Sequence, residues 1–195
     1  MHLKIRGLQR FGLGPINLDV PAGACTCVYG PSGTGKTLLL RAIADLDPNT
    51  GDVLLGPVSR AGMAAPVWRQ RVAYLPAEPA WWDVRAIDHF SNPERARECA
   101  ATLGLDGDVL DRSVDVLSTG ERQRLAYVRA LEHDPDVILL DEPTSALDET
   151  SVELLERALR NQMASGVGIL LVTHDEAQRS RLAQASFLMH DGRLS

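Results

Sequence analysis

Eight residues, Gly30-Pro31-Ser32-Gly33-Thr34-Gly35-Lys36-Thr37, constrain this chain more than any others. They lie between a compact, mostly apolar run, Ala24 to Tyr29, and a stretch of helical spacing, Thr37 to Leu46, that Asp47-Pro48 breaks. The unit reads as strand, glycine-rich loop, helix, which opens a parallel α/β arrangement. The rest of the chain agrees. Val137-Ile138-Leu139-Leu140 and Gly168-Ile169-Leu170-Leu171-Val172 are short continuous apolar runs, as parallel strands covered on both faces require. Between them Thr150 to Met163 has helical spacing through Val152, Leu155 and Leu159. Upstream, Ile16 to Val20 alternates like a half-buried strand and stops at Pro21-Ala22-Gly23. From about Pro79 to Val116 the pattern changes. Trp81, Trp82, Asp88 and His89 precede a charged helical stretch, Pro93 to Leu103, and the segment reads as a small, mostly helical insertion.

The eight residues match G-x-x-x-x-G-K-[ST] in the setting that motif needs, after a strand and before a helix. Glycines let the backbone N–H groups converge on phosphates, and the positive end of the following helix adds to the attraction. Lys36 then neutralises β- and γ-phosphates, and the Thr37 hydroxyl is placed to ligate Mg²⁺. The run Val137 to Leu140 ends in Asp141 and Glu142, two carboxylates that are costly at the end of a buried strand unless they meet a cation or water. Asp141 suits the surroundings of Mg²⁺, and Glu142 suits a general base that polarises an attacking water. Leu117-Ser118-Thr119-Gly120-Glu121-Arg122-Gln123-Arg124 reads as a capped helix start, whose charges serve either the cap or a second anion.

Composition narrows the partners. The chain of 195 residues fits one domain, and with 45% hydrophobic and 24% charged residues it can bury a core. A net charge of −6 argues against a protein that coats nucleic acid through general electrostatics. Cys25, Cys27 and Cys99 are odd in number with no CxxC spacing, so neither a disulfide framework nor a zinc site is expected, and a reducing compartment fits best. Cys25 and Cys27 share one parity of a strand and are expected to be buried. The start of the chain lacks the apolar core of a secretory signal, and no run approaches the roughly 18 apolar residues that span a bilayer. The expectation is a soluble, cytoplasmic chain whose membrane role, if any, comes through a partner.

Taken in order, GPSGTGKT, LSTGERQR, ILLDEPTSALD and LLVTHD resemble the motifs of the ATP-binding-cassette (ABC) ATPases, the nucleotide-hydrolysing subunits of ABC transporters, and the likeness runs from Phe11 to Leu194. It implies a P-loop NTPase-type parallel sheet flanked by helices, with an N-terminal antiparallel β portion and a short helical insertion over about 79–116, all in a single cassette spanning 1–195. It implies ATP and Mg²⁺ as ligands. It also implies a head-to-tail dimer, of two copies or with a homologous cassette, in which Ser118, Thr119 and Gly120 complete the ATP site of the opposing subunit. Ser145 to Asp148 matches the D-loop, and His174 matches the switch histidine that contacts the γ-phosphate; the plain alternative for His174 is a capping or surface histidine at a strand end. The aromatic that stacks on adenine in these ATPases has its counterpart in Phe11, a residue that core packing would also explain. An integral membrane permease is the implied partner, at the cytoplasmic face of the inner (plasma) membrane.

Three departures bear on what the resemblance carries over. After Arg71 to Pro76 the family places a glutamine that helps ligate Mg²⁺, whereas this chain has Ala77 and then Glu78. Either Glu78 or water takes that ligand position, or the coupling is altered. Thr119 stands for the first signature glycine and Glu121 for the usual glutamine. The insertion is short, and no carboxy-terminal regulatory domain is expected after the His174 strand. Trp81 and Trp82 follow the missing glutamine, and anchoring of an interface and burial in the insertion are both open readings. His2, His89, His133 and His190 have no matching neighbourhood and read as structural or solvated. Two other classes remain in view: a soluble ABC-type ATPase acting on a non-transport partner, and a cassette with impaired hydrolysis. A small P-loop kinase fits the length but would lack LSTGERQR and the run from Asp141 to Asp148.

Overall fold

The computed structural model describes residues 1–195. Along the chain run β1 (Leu3–Arg10), β2 (Leu13–Val20), β3 (Cys25–Tyr29), α1 (Lys36–Ile43), β4 (Thr50–Leu55), β5 (Val58–Ser59), α2 (Ala65–Arg71) and β6 (Val72–Leu75). They are followed by α3 (Pro93–Thr102), α4 (Thr119–Ala130), β7 (Val137–Asp141), α5 (Glu149–Ala164), β8 (Gly168–Val172), α6 (Glu176–Leu182), β9 (Ala185–His190) and β10 (Arg193–Leu194). The larger sheet has the order β10-β9-β3-β8-β7-β6, parallel throughout except for β10 at its edge. A smaller antiparallel sheet has the order β2-β1-β4-β5. The expected α/β architecture, with its antiparallel portion near the start of the chain, is the one observed.

The apolar runs make sense only in this stack. Successive residues of a strand point to opposite faces, and here both faces are buried. Cys25, Cys27, Ile138, Leu140, Ile169 and Leu171 enter one core with α4, α5 and the 79–116 segment. Val28, Val137, Leu139, Leu170 and Val172 enter a second core with α1 and the inner face of the antiparallel sheet. Burial pushes the Cys25 thiol up to about 12 and that of Cys27 up to about 11, in keeping with small buried residues rather than reactive ones. Trp68 of α2 is wholly buried in the second core, where its indole N–H donates to the Ile43 carbonyl at 2.9 Å and fixes the end of α1.

Between residues 79 and 116 the chain forms α3 and three short 3-10 turns, Ala86–His89, Val109–Asp111 and Val114–Val116. Its apolar residues, among them Phe90, Leu103 and Leu110, join the core of the parallel sheet rather than forming their own. The two tryptophans divide: Trp81 packs partly buried against that core, and Trp82 is 68% exposed. His89 is structural. Its Nε2 accepts the backbone N–H groups of Trp82 and Asp83 at 3.0 and 3.1 Å, and the Arg129 guanidinium lies over both indole rings.

Candidate nucleotide site

In an α/β sheet the groups at the carboxyl ends of adjacent parallel strands form a crevice. Here β3, β8 and β7 are neighbours, so three segments far apart in sequence end side by side. The loop after β3 carries Gly30 to Gly35, and α1 begins at Lys36. Gly30 has φ 145°, and a Cβ there would come within 2.3 Å of the Met189 carbonyl oxygen, so only glycine lets the loop leave the sheet at this point. Lys36 folds back over its own loop, donating from Nζ to the Gly30 and Pro31 carbonyls at 2.8 Å each. Thr34 closes the turn by donating to the Pro31 carbonyl at 2.9 Å. Ser32, Gly33, Gly35, Lys36, Thr37, Leu38, Asp141 and Glu142 line an open cavity of about 380 Å³.

On its far side the Thr37 hydroxyl donates to Asp141 Oδ2 at 2.7 Å, and the Tyr74 hydroxyl donates to the same oxygen at 3.3 Å. Burial pushes the Asp141 carboxyl above the ordinary value, while these two hydrogen bonds and Lys36 pull against it. Burial, with Asp141 beside it, also pushes the Tyr74 hydroxyl up, so it is a donor at any physiological pH. Thr37 and Asp141 are hard oxygen donors of the kind that suits Mg²⁺. Nowhere do three or more His, Cys, Asp or Glu side chains converge as a metal cage. The pair supplies two oxygen ligands, and an Mg²⁺ held there would take its others from phosphate and water.

Glu142 follows directly in the left-handed region, at φ 48°. That conformation costs a non-glycine residue about 1–2 kcal/mol. It is held by neighbours on both sides: the Glu142 N–H donates to the Val172 carbonyl at 2.9 Å, and the Ser145 hydroxyl donates to the Glu142 carbonyl at 3.1 Å. The carboxylate meets His174, whose Nδ1 lies 2.8 Å from Glu142 Oε2. His174 sits just beyond β8, where Asp175 caps α6 by accepting the N–H groups of Ala177 and Gln178 at 2.8 and 3.2 Å. Arg179 of α6 lies 3.9 Å over the Tyr29 ring, which ties this segment to the residue before the loop.

Phe11 is wholly exposed at the turn between β1 and β2, which removes the core reading. Its hairpin is pinned beside the glycine-rich loop after β3: the Gly14 N–H donates to the Gly192 carbonyl at 2.8 Å, and the Gly192 N–H donates to the Thr34 carbonyl at 3.2 Å. Glu78 is exposed and does not line the cavity; Tyr74, which no sequence pattern singles out, is the group from that region that reaches Asp141. Ser118, Thr119 and Gly120 do not line the cavity either. They open α4 against the D-loop, where a Cβ on Gly120 would lie 3.2 Å from the Ala146 carbonyl oxygen. Asp148 is turned onto its own helix, accepting the N–H and the hydroxyl of Ser151 at 2.8 and 3.2 Å, and the first of these bonds chiefly holds its carboxyl below the ordinary value.

The family model described as ABC transporter matches residues 13–145. The chain belongs to the ABC transporter family. It is 35% identical, over 99% of its length, to the Fe(3+) ions import ATP-binding protein FbpC of Mesorhizobium japonicum, and spans 59% of that relative. It is also 35% identical over its whole length to the molybdate/tungstate import ATP-binding protein WtpC of Archaeoglobus fulgidus, spanning 85% of it. Among solved structures, a dimeric ATP-binding cassette, MJ0796, in a post-hydrolysis state bound to ADP and Pi superposes with a TM-score of 0.87 over 99% of this chain and 96% of that one. At 24% identity this likeness establishes the ABC cassette fold. No helix of this ABC-family chain is long and apolar enough to cross a membrane.

Proposed function

We propose that this chain is a single ABC cassette that hydrolyses ATP to ADP and phosphate, with water as the nucleophile, and drives a separate membrane permease from its cytoplasmic face. The observation that carries the reading is the convergence on one cavity of the Thr37–Asp141 pair, the Lys36 ammonium and the Glu142 carboxylate, drawn from two sequence motifs far apart in the chain. Family membership and the import ATP-binding proteins among its relatives support a role in transport.

In this reading the backbone of Gly30 to Gly35 and the start of α1 receive the phosphates, and Lys36 exchanges the Gly30 and Pro31 carbonyls for the β- and γ-phosphate oxygens. Thr37 and Asp141 hold the Mg²⁺, which when bound neutralises charge between those phosphates. Glu142 accepts a proton from the attacking water, and His174 gives up its contact with Glu142 for one with the γ-phosphate. Phe11, exposed on a hairpin tied to Thr34, offers its face to the adenine. Ser118, Thr119 and Gly120 serve the nucleotide held by a second cassette in a head-to-tail pair, the D-loop through Asp148 lying between the two sites. Each closure of the pair on ATP, and each opening after hydrolysis, moves the permease.

The test compares binding with turnover. Lys36→Ala is expected to weaken binding of a fluorescent ATP analogue at least about 30-fold, because it removes the cation facing the phosphates. Glu142→Gln is expected to keep that affinity and lose about 100-fold or more in Mg²⁺-dependent phosphate release. Equal phosphate release by wild type and both variants would overturn the mechanism.

A further inference from the structure

The start of α4 carries an acid where the proposed reading brings the phosphates of a second nucleotide. Glu121 and Ser118 form a capping box: Glu121 Oε2 accepts the Ser118 N–H at 2.8 Å, and Ser118 Oγ accepts the Glu121 N–H at 3.1 Å. The box uses two donors and leaves the N–H groups of Thr119 and Gly120 without an intrahelical acceptor. A carboxylate at this end of the helix supports the cap and opposes an incoming polyanion, so its charge needs an answer.

Arg112 supplies one. Its Nη1 donates to the second oxygen of the same carboxylate, Glu121 Oε1, at 3.2 Å. The arginine is delivered by the stretch just before α4, where the Arg112 carbonyl accepts the Ala86 N–H at 3.1 Å and the neighbouring Ser113 pairs with Arg85. Asp108 and Asp106 hold its Nη2 at 2.8 and 3.3 Å. Those two aspartates are largely exposed, with 67% and 76% of their side chains in solvent, so water screens them. Glu121 is 21% exposed, and its pairing with Arg112 is the less screened contact. Burial pushes the Glu121 carboxyl up, but the Ser118 bonds and Arg112 outweigh it and keep the group ionised. Arg122 makes no ion pair with Glu121: its Nη1 donates to the Leu117 carbonyl at 2.7 Å and its Nη2 to the Thr119 hydroxyl at 3.4 Å.

We infer that Arg112 is a positioning residue of the shared nucleotide site, which neutralises Glu121 and holds it in the capping box so that the start of α4 stays receptive to phosphate. The inference rests on the head-to-tail reading above. It makes the acid at position 121 tolerable only in the company of the arginine at position 112.

The experiment is a double-mutant cycle in the Glu142→Gln protein, in which ATP-bound pairs are expected to accumulate. The readout is the ATP concentration for half-maximal dimer, followed by sedimentation, beside the affinity of the diluted monomer for a fluorescent ATP analogue. Arg112→Ala is expected to raise the half-maximal concentration about tenfold without changing monomer affinity. Arg112→Ala with Glu121→Gln is expected to fall within about threefold of Glu121→Gln alone, since no acid is left to neutralise. Pairing of Arg112→Ala at the parent's concentration would overturn the inference, and so would a double variant as weak as Arg112→Ala. Should Arg112→Ala melt early, Arg112→Gln, which removes the charge but keeps a long polar side chain, carries the same comparison alone and with Glu121→Gln, with the same expected and overturning outcomes. A parent that binds the analogue yet never pairs would overturn the head-to-tail reading, and the inference with it.

Discussion

At the scale of single residues, the site depends on pairs that no linear pattern states. Thr37 and Asp141 are 104 positions apart and share one hydrogen bond, and Tyr74 reaches the same oxygen from the neighbouring strand β6. The Tyr74 hydroxyl satisfies a buried carboxylate, and at 3.3 Å the bond belongs at the low end of the roughly 1.5–3 kcal/mol range of hydrogen bonds to charged groups. Tyr74→Phe is therefore expected to raise the Mg²⁺ concentration for half-maximal activity about threefold to tenfold, with the fold intact by circular dichroism. An unchanged Mg²⁺ requirement would show that Asp141 needs only Thr37. The placement of Lys36, Thr37, Asp141 and Glu142 at one cavity was legible because each stands at a fixed offset from a glycine loop or a strand end. Tyr74 was not, because a tyrosine in an apolar strand carries no mark of the carboxylate beside it. Glu78 was the residue that sequence offered in its place, and it lies exposed away from the cavity.

Elements hold those residues through contacts at their ends. Helix α1 positions Lys36 and Thr37 at its start, and its far end is fastened by Asp47, which takes Arg41 Nε at 2.8 Å and Arg10 Nη1 at 2.5 Å. Arg10 is the last residue of β1, so the same carboxylate also anchors the hairpin that bears Phe11. Hydrogen bonding from Arg41, with Arg10 beside it, lowers the Asp47 carboxyl to about 2. A group depressed in the folded state stabilises above its unfolded value, near 4, and loses that stabilisation as pH falls toward 2. With Arg41 42% exposed, the contribution at neutral pH is about 1 kcal/mol rather than the full linkage value. Asp47→Asn is expected to lower Tm at pH 7 and to flatten the fall of Tm between about pH 4 and pH 2; parallel profiles for the two proteins would contradict this role. The strands and helices that line the site were visible as apolar runs and helical spacing. β9 was not, because its residues alternate little and are mostly exposed or half-buried.

For the whole molecule, the decisive fact is separation. The start of α4 lies against the D-loop and does not line the cavity beside Lys36, and in the head-to-tail reading proposed above it serves a second cassette instead. Wild-type ATPase activity is accordingly expected to rise more steeply than linearly with protein concentration, and Glu142→Gln with Mg²⁺ and ATP is expected to sediment as a dimer. Constant specific activity from a persistent monomer would contradict shared sites. The local chemistry belongs to sequence: glycines that free the loop, an apolar run that must be a covered strand, a lysine and a hydroxyl at the head of a helix. These depend on neighbours within a turn or two, where conformational preference and hydrogen-bonding capacity act directly. Strand order belongs to the tertiary structure, because it follows from how two cores fill on opposite faces of one sheet. Placing β7 and β8 side by side is what sets His174 against Glu142, and placing β6 beyond β7 is what brings Tyr74 to Asp141.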